Sequence, residues 1–103
     1  MTADYTVNGG TMLTSLKGGF DTESSALFEK EICAKLKGIT ALIIDLSGVD
    51  YISSSGLRTL LYLQQTMEDC GVMKVRNPSE NVNVIFDVTG FEEIIEVIRE
   101  DLT

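Results

Sequence analysis

Apolar positions along the chain change period several times, and each change marks an element. In "DYTVNGGTMLTSLKG" two β-prone runs flank Asn8-Gly9-Gly10, the composition of a hairpin turn. In "DTESSALFEKEICAKLKG", Phe28, Ile32 and Leu36 recur at helical spacing. Asp21 or Thr22 can cap that helix, and Gly38 is placed to stop it. "TALIIDLS" is short, apolar and β-branched, which predicts a strand buried on both faces. Leu57, Leu60, Leu61 and Met67 then line one side of a second helix that ends near Cys70-Gly71.

"VMKVRNP" predicts another short strand, closed by the only proline, Pro78. "SENVNVIFDVTG" opens with a Ser/Asx-type start, places Val82, Ile85 and Phe86 on one helical face, and stops at Gly90. The tail "FEEIIEVIREDLT" fits two patterns. Phe91, Ile94, Ile95 and Ile98 suit a helical face, whereas "IIEVI" suits a short final strand. Strands alternating with helices imply an α/β domain with a sheet and crossover helices. The expected sheet core is Leu42, Ile43, Ile44 and Leu46, with Leu57, Leu60 and Leu61 packed on it.

At 103 residues the chain is expected to be one domain, residues 1–103, around one core. A hydrophobic fraction of 44% separates it from disordered sequences. Sixteen acidic against eight basic residues give a formal net charge of −8. That surface repels phosphate backbones and anionic headgroups, and the lysines and arginines are scattered, so nucleic acid is not an expected partner. No apolar run is long enough for a membrane insertion, and the start lacks a secretory pattern. Cys33 and Cys70 lie far apart, and there is no histidine. The two thiols are therefore expected reduced, in a cytoplasmic protein without a metal site.

The junction "VDYISSSGLRTLLYL" sets Ser53, Ser54 and Ser55 before Gly56, where a strand feeds a helix. Ser53 or Ser54 can supply the N-cap oxygen, a role worth about 0.5–2 kcal/mol. A cap explains one hydroxyl. A second reading gives one of them a phosphate, whose charge of about −1.5 to −2 a helix N-terminus tolerates. Arg58 is placed to pair with such a phosphate or to stand in solvent. Gly56 either lets a partner approach or serves backbone geometry. A serine nucleophile needs a base, and with no histidine and no GxSxG or GxxxxGK motif there is no catalytic residue to assign. Asp45 and Asp50 bracket the end of the central strand, where carboxylates commonly form turns.

These residues bear a family resemblance. "ALIIDLSGVDYISSSGLRTLL" resembles the central segment of STAS domains, named for sulfate transporters and anti-sigma factor antagonists. "LKGGFDTESS" resembles the family's G-x-hydrophobic-D turn, which places Asp21 at its aspartate, and "NPSENVNVIFDVTGFEEII" resembles the segment before its last strand. The resemblance implies a single STAS-like domain with a mixed central sheet, an N-terminal hairpin strand and helices packed on one side. It assigns "IIEVI" to the final strand and leaves the family's C-terminal helix short or missing.

Functionally, the resemblance implies an anti-sigma factor antagonist. Such a protein, unphosphorylated, binds an anti-sigma factor that is also a serine kinase and so frees the sigma factor. Phosphorylation breaks the complex, and a serine phosphatase resets it. The acceptor, two residues before the glycine, falls on Ser54, with Ser53 and Ser55 as alternates. Many phosphorylated antagonists carry Asp before that serine, and here Ser53 stands there. Asp21, Ser53, Ser54, Ser55, Gly56 and Arg58 form the expected partner face. No cofactor is implied, and the free protein is expected to be a monomer. The alternative is a STAS protein of a lipid- or anion-transport system.

Overall fold

The structure, a computed structural model, describes residues 1–100. Strands β1 (Thr2–Asn8) and β2 (Thr11–Phe20) pair antiparallel across a two-residue turn, in which Gly9 takes the left-handed φ of 64°. Helix α1 (Thr22–Cys33) leads to β3 (Ala41–Ile52), α2 (Ser54–Glu68) to β4 (Val72–Arg76), and α3 (Glu80–Thr89) with a 3-10 turn at Phe91–Glu93 to β5 (Glu96–Ile98). Strands β2 to β5 run parallel, and the sheet order is β1-β2-β3-β4-β5. A monotonic order with crossovers of one hand puts all the helices on one face.

Burial follows that layout. Met12, Leu16, Leu42, Ile44, Leu46, Met73 and Val75 point to the helices and are buried. Ile32, Leu60, Leu63, Met67, Val82 and Phe86 meet them from the helical layer. The expected mixed sheet with one-sided helices is what the chain forms.

Several local expectations change. The central strand is not apolar core on both faces: the face without helices leaves Ala41 and Ile43 half-buried, and the residue buried beside them is the charged Asp45. That strand also runs well past "TALIIDLS" to Ile52, with register shifts against β2 between Ser15 and Lys17 and between Gly18 and Gly19, the first of which sets Gly48 beside Lys17. A Cβ at Gly48 would sit 2.9 Å from the Leu16 carbonyl oxygen, which explains a glycine inside a strand.

Asp45 and Asp50 therefore lie within β3 and form no turn. Asp45 is buried: it accepts from Ser47 N at 2.8 Å and from Arg76 Nε at 2.8 Å. Burial pushes its carboxyl up, but the bonds from Ser47 and Arg76 outweigh burial and hold it below the usual carboxylate range.

Helix α1 ends at Cys33 with Ala34 as its C-cap, short of Gly38. The chain turns there through Lys35 N to Ile32 O and Ile39 N to Leu36 O, and Leu36 reaches the core from the turn. On α2 the face toward the sheet is Leu60, Leu63 and Met67, while Leu57 and Leu61 pack half-buried at its margin. The helical alternative for the tail gives way to a 3-10 turn and a strand, with Phe91 and Ile95 buried and Ile94 exposed. The expectation that the family's C-terminal helix is short or missing falls on residues 101–103, outside the described residues. No helix among the described residues is long and apolar enough to cross a membrane.

Candidate functional site

Parallel strands of one sheet deliver their following helices at the same end, so the N-termini of α1 and α2 converge. Phe20, the last residue of β2, holds them together. Its side chain is fully buried and meets Phe28 of α1 edge-on, with ring centroids 5.7 Å apart. Its carbonyl accepts from Ser53 N at 2.8 Å, which ties the start of α2 to the end of β2.

Asp21 follows Phe20 and caps α1. Its Oδ1 accepts from Ser24 N at 2.9 Å, and its own N–H donates to Ser24 Oγ at 2.9 Å, a reciprocal capping box. Those bonds from Ser24, backbone first and then side chain, hold the exposed carboxyl below its ordinary range. Asp21 is thus a fixed negative charge on the surface.

The serines part ways in the structure. Ser53 is the N-cap of α2, and its Oγ accepts from Gly56 N at 3.1 Å. Ser55 is half-buried, with its Oγ 3.3 Å from Thr22 Oγ1 at the start of α1. Ser54 is the first residue of α2 and exposed, and no hydrogen bond among the described residues engages its hydroxyl. Arg58, one turn along, is exposed and makes no ion pair with a described residue. Ser54, Arg58 and Tyr62 stand four residues apart in sequence, which sets all three exposed side chains on one stripe of α2.

Of the two readings open for Gly56, the structure shows a packing role. It is buried, and a Cβ there would lie 2.9 Å from Ile52 Cγ1 and 3.0 Å from the Phe20 carbonyl oxygen. The absence of a side chain lets α2 start against β2, and that contact faces the core. Asp21, Ser53, Ser54, Ser55 and Arg58 do share one end of the domain.

Two contacts at this end were not foreseen from the sequence, which marks Thr22 only as a candidate helix cap. Thr22 is the partner of Ser55, a pairing across 33 positions that no local pattern announces. Ser24 completes the Asp21 cap, and the spacing Asp-x-x-Ser was the signal for it.

Comparison with known proteins agrees with this architecture. The STAS domain family model matches residues 2–102. BtrV of Bordetella bronchiseptica, whose name provisionally assigns it as an anti-sigma factor antagonist, is 31% identical over 90 residues, which span 85% of this chain and 78% of that protein. The anti-sigma-B factor antagonist of Bacillus subtilis is 25% identical over 95 residues, covering 91% of this chain and 87% of its own length. The anti-sigma factor antagonist SpoIIAA in its unphosphorylated form superposes with a TM-score of 0.84 at 19% identity, covering 98% of this chain and 90% of that one. By its sheet, its helix N-termini and its match to the family over nearly all its length, this chain belongs to the STAS domain family.

Proposed function

We propose that this chain is an anti-sigma factor antagonist that is switched at Ser54. Unphosphorylated, it binds an anti-sigma factor that is also a serine kinase, and the sigma factor is released. The kinase transfers the γ-phosphoryl group of ATP to Ser54 Oγ, ADP and the hydroxyl proton depart, and the complex breaks. A serine phosphatase hydrolyses the phosphoserine and restores binding. The names of both curated relatives favour this reading over a transport-system subunit. The protein acts here as a cytoplasmic binding module, monomeric when free, and carries out no chemistry of its own.

One observation carries the choice of serine. Ser53 spends its hydroxyl on the helix cap and Ser55 shares its hydroxyl with Thr22, whereas Ser54 is exposed and has no hydrogen-bond partner among the described residues. A kinase can reach Ser54 Oγ without undoing a bond that holds the fold. A phosphate there sits over the unpaired N–H groups of α2, so the domain tolerates it. The partner does not. A surface shaped to small hydroxyls has no room for a dianion; truncating one partner of a buried charge pair costs about 2–5 kcal/mol, and an inserted, uncompensated charge is comparably harmful. At about 1.4 kcal/mol per tenfold, phosphorylation weakens binding by orders of magnitude.

The test is incubation with candidate anti-sigma kinases and ATP, followed by mass spectrometry. Phosphate on Ser54, with loss of binding, supports the assignment. Phosphate on Ser53 or Ser55 moves the switch by one residue, and no phosphate with any cognate kinase removes it.

A further inference from the structure

An open groove of about 360 Å³ lies between β1 and α1, on the opposite side of α1 from α2. Ala3, Leu27 and Phe28 give it an apolar floor, and Asp21, Glu23 and Glu31 line it with carboxylates. No lysine or arginine lines it, and the cation felt at Asp21 is the amino group of Met1.

Leu27 is 65% exposed, although its neighbour Phe28 is buried in the core. A lone exposed leucine needs no explanation. This one opens into a concavity whose rim includes Asp21, a residue of the proposed partner face.

We infer that this groove is a second contact for the partner: a socket for an apolar side chain flanked by lysine or arginine on the anti-sigma factor. The inference rests on the proposed function and extends its footprint from Ser54, past Asp21, along the outer side of α1. Charge selects the occupant. Three carboxylates around an apolar floor attract a basic segment and repel an acidic one. A second copy of this chain, at a net charge of −8, is disfavoured for the same reason. A whole small-molecule ligand is also a poor match, because the volume lies at the bottom of the range of about 300–1,000 Å³ for ligand pockets and the groove is open. One or two side chains fill it.

The probe is the anti-sigma kinase that phosphorylates this chain, with affinity measured by titration calorimetry or surface plasmon resonance. Leu27→Ala should bind it about tenfold more weakly, as truncation of a seated apolar anchor does. Glu23→Lys with Glu31→Lys should slow association several-fold, chiefly at low salt. Val88→Ala, at an 80% exposed valine of α3, should bind like the wild type. Denaturation midpoints within error of the wild type exclude unfolding as the cause.

If Leu27→Ala binds within twofold of the wild type while Ser54→Asp still binds poorly, the socket is overturned and the proposed function stands. A wild-type protein that binds no anti-sigma kinase overturns both.

Discussion

Thr22 and Ser55 meet hydroxyl to hydroxyl, 3.3 Å apart, each at the first turn of its own helix. The contact joins α1 to α2 at the end where the candidate switch lies, and it engages the Ser55 hydroxyl. A net contribution near the low end of the hydrogen-bond range is expected, about 0.5 kcal/mol, because solvent reaches Thr22. A double-mutant cycle of Thr22→Val and Ser55→Ala, followed by urea denaturation, should show coupling of about that size. Strict additivity would mean that the two hydroxyls do not hold each other.

Gly56 sets the spacing between α2 and β2. Alanine is the better helix former by about 1 kcal/mol, so on propensity alone Gly56→Ala should stabilise the protein. The added Cβ, however, meets the Phe20 carbonyl oxygen and Ile52 Cγ1 at 3.0 and 2.9 Å, and a backbone oxygen cannot swing aside. Overpacking of this kind costs about 1–3 kcal/mol, so the clash wins and the denaturation midpoint should fall. An unchanged or raised midpoint would show that α2 can slide away from β2 at no cost.

Much of the fold was legible because periodicity reports burial, and burial decides this architecture. Ser79 and Gly90 bound α3 where the caps predicted, with Gly90 at a left-handed φ of 69°. The misreadings came from non-local causes. Ile43 looks like core by hydropathy, but whether its side of the sheet is covered depends on where three helices pack. Asp45 and Asp50 look like turn formers by composition, yet β3 continues through both, and Arg76 from β4 supplies the charge that Asp45 needs.

The serine triplet shows the same limit at the site. Its position at a helix start was readable, and so was the presence of a cap. Which hydroxyl caps, which pairs and which stays free depended on Phe20 O and Thr22, residues distant in sequence.

Asp45 also predicts an acid limb. Its carboxyl titrates lower in the folded protein than in the unfolded chain, where about 3.9 is typical. Its contribution is therefore complete above that value and is lost as pH falls through the lower, folded one. Asp45→Ala should cost about 1.5–3 kcal/mol at neutral pH, since it removes the bonds from Ser47 and leaves Arg76 without its closest partner. Stability measured between neutral pH and about pH 2 should then fall less steeply in the variant than in the wild type. Parallel acid limbs would place the titrating carboxylates elsewhere.

The neighbouring serines separate stability from switching. Ser53→Ala removes the oxygen that accepts from Gly56 N, so it should lower stability by about 0.5–2 kcal/mol. Ser54→Ala removes an exposed hydroxyl that bonds to no described residue, so its midpoint should stay within about 0.5 kcal/mol of the wild type. With the kinase the order reverses. Ser53→Ala, once folded, should still accept phosphate, whereas Ser54→Ala should bind and take none. Ser54→Asp should remain folded, because a negative charge suits the start of α2, yet bind weakly. Paired denaturation and phosphorylation assays check both halves. If Ser54→Ala destabilised the protein as Ser53→Ala does, the cap assignment would be wrong. If Ser53→Ala abolished phosphorylation while folded, the acceptor would be Ser53, and its phosphate would have to form at the expense of the helix cap.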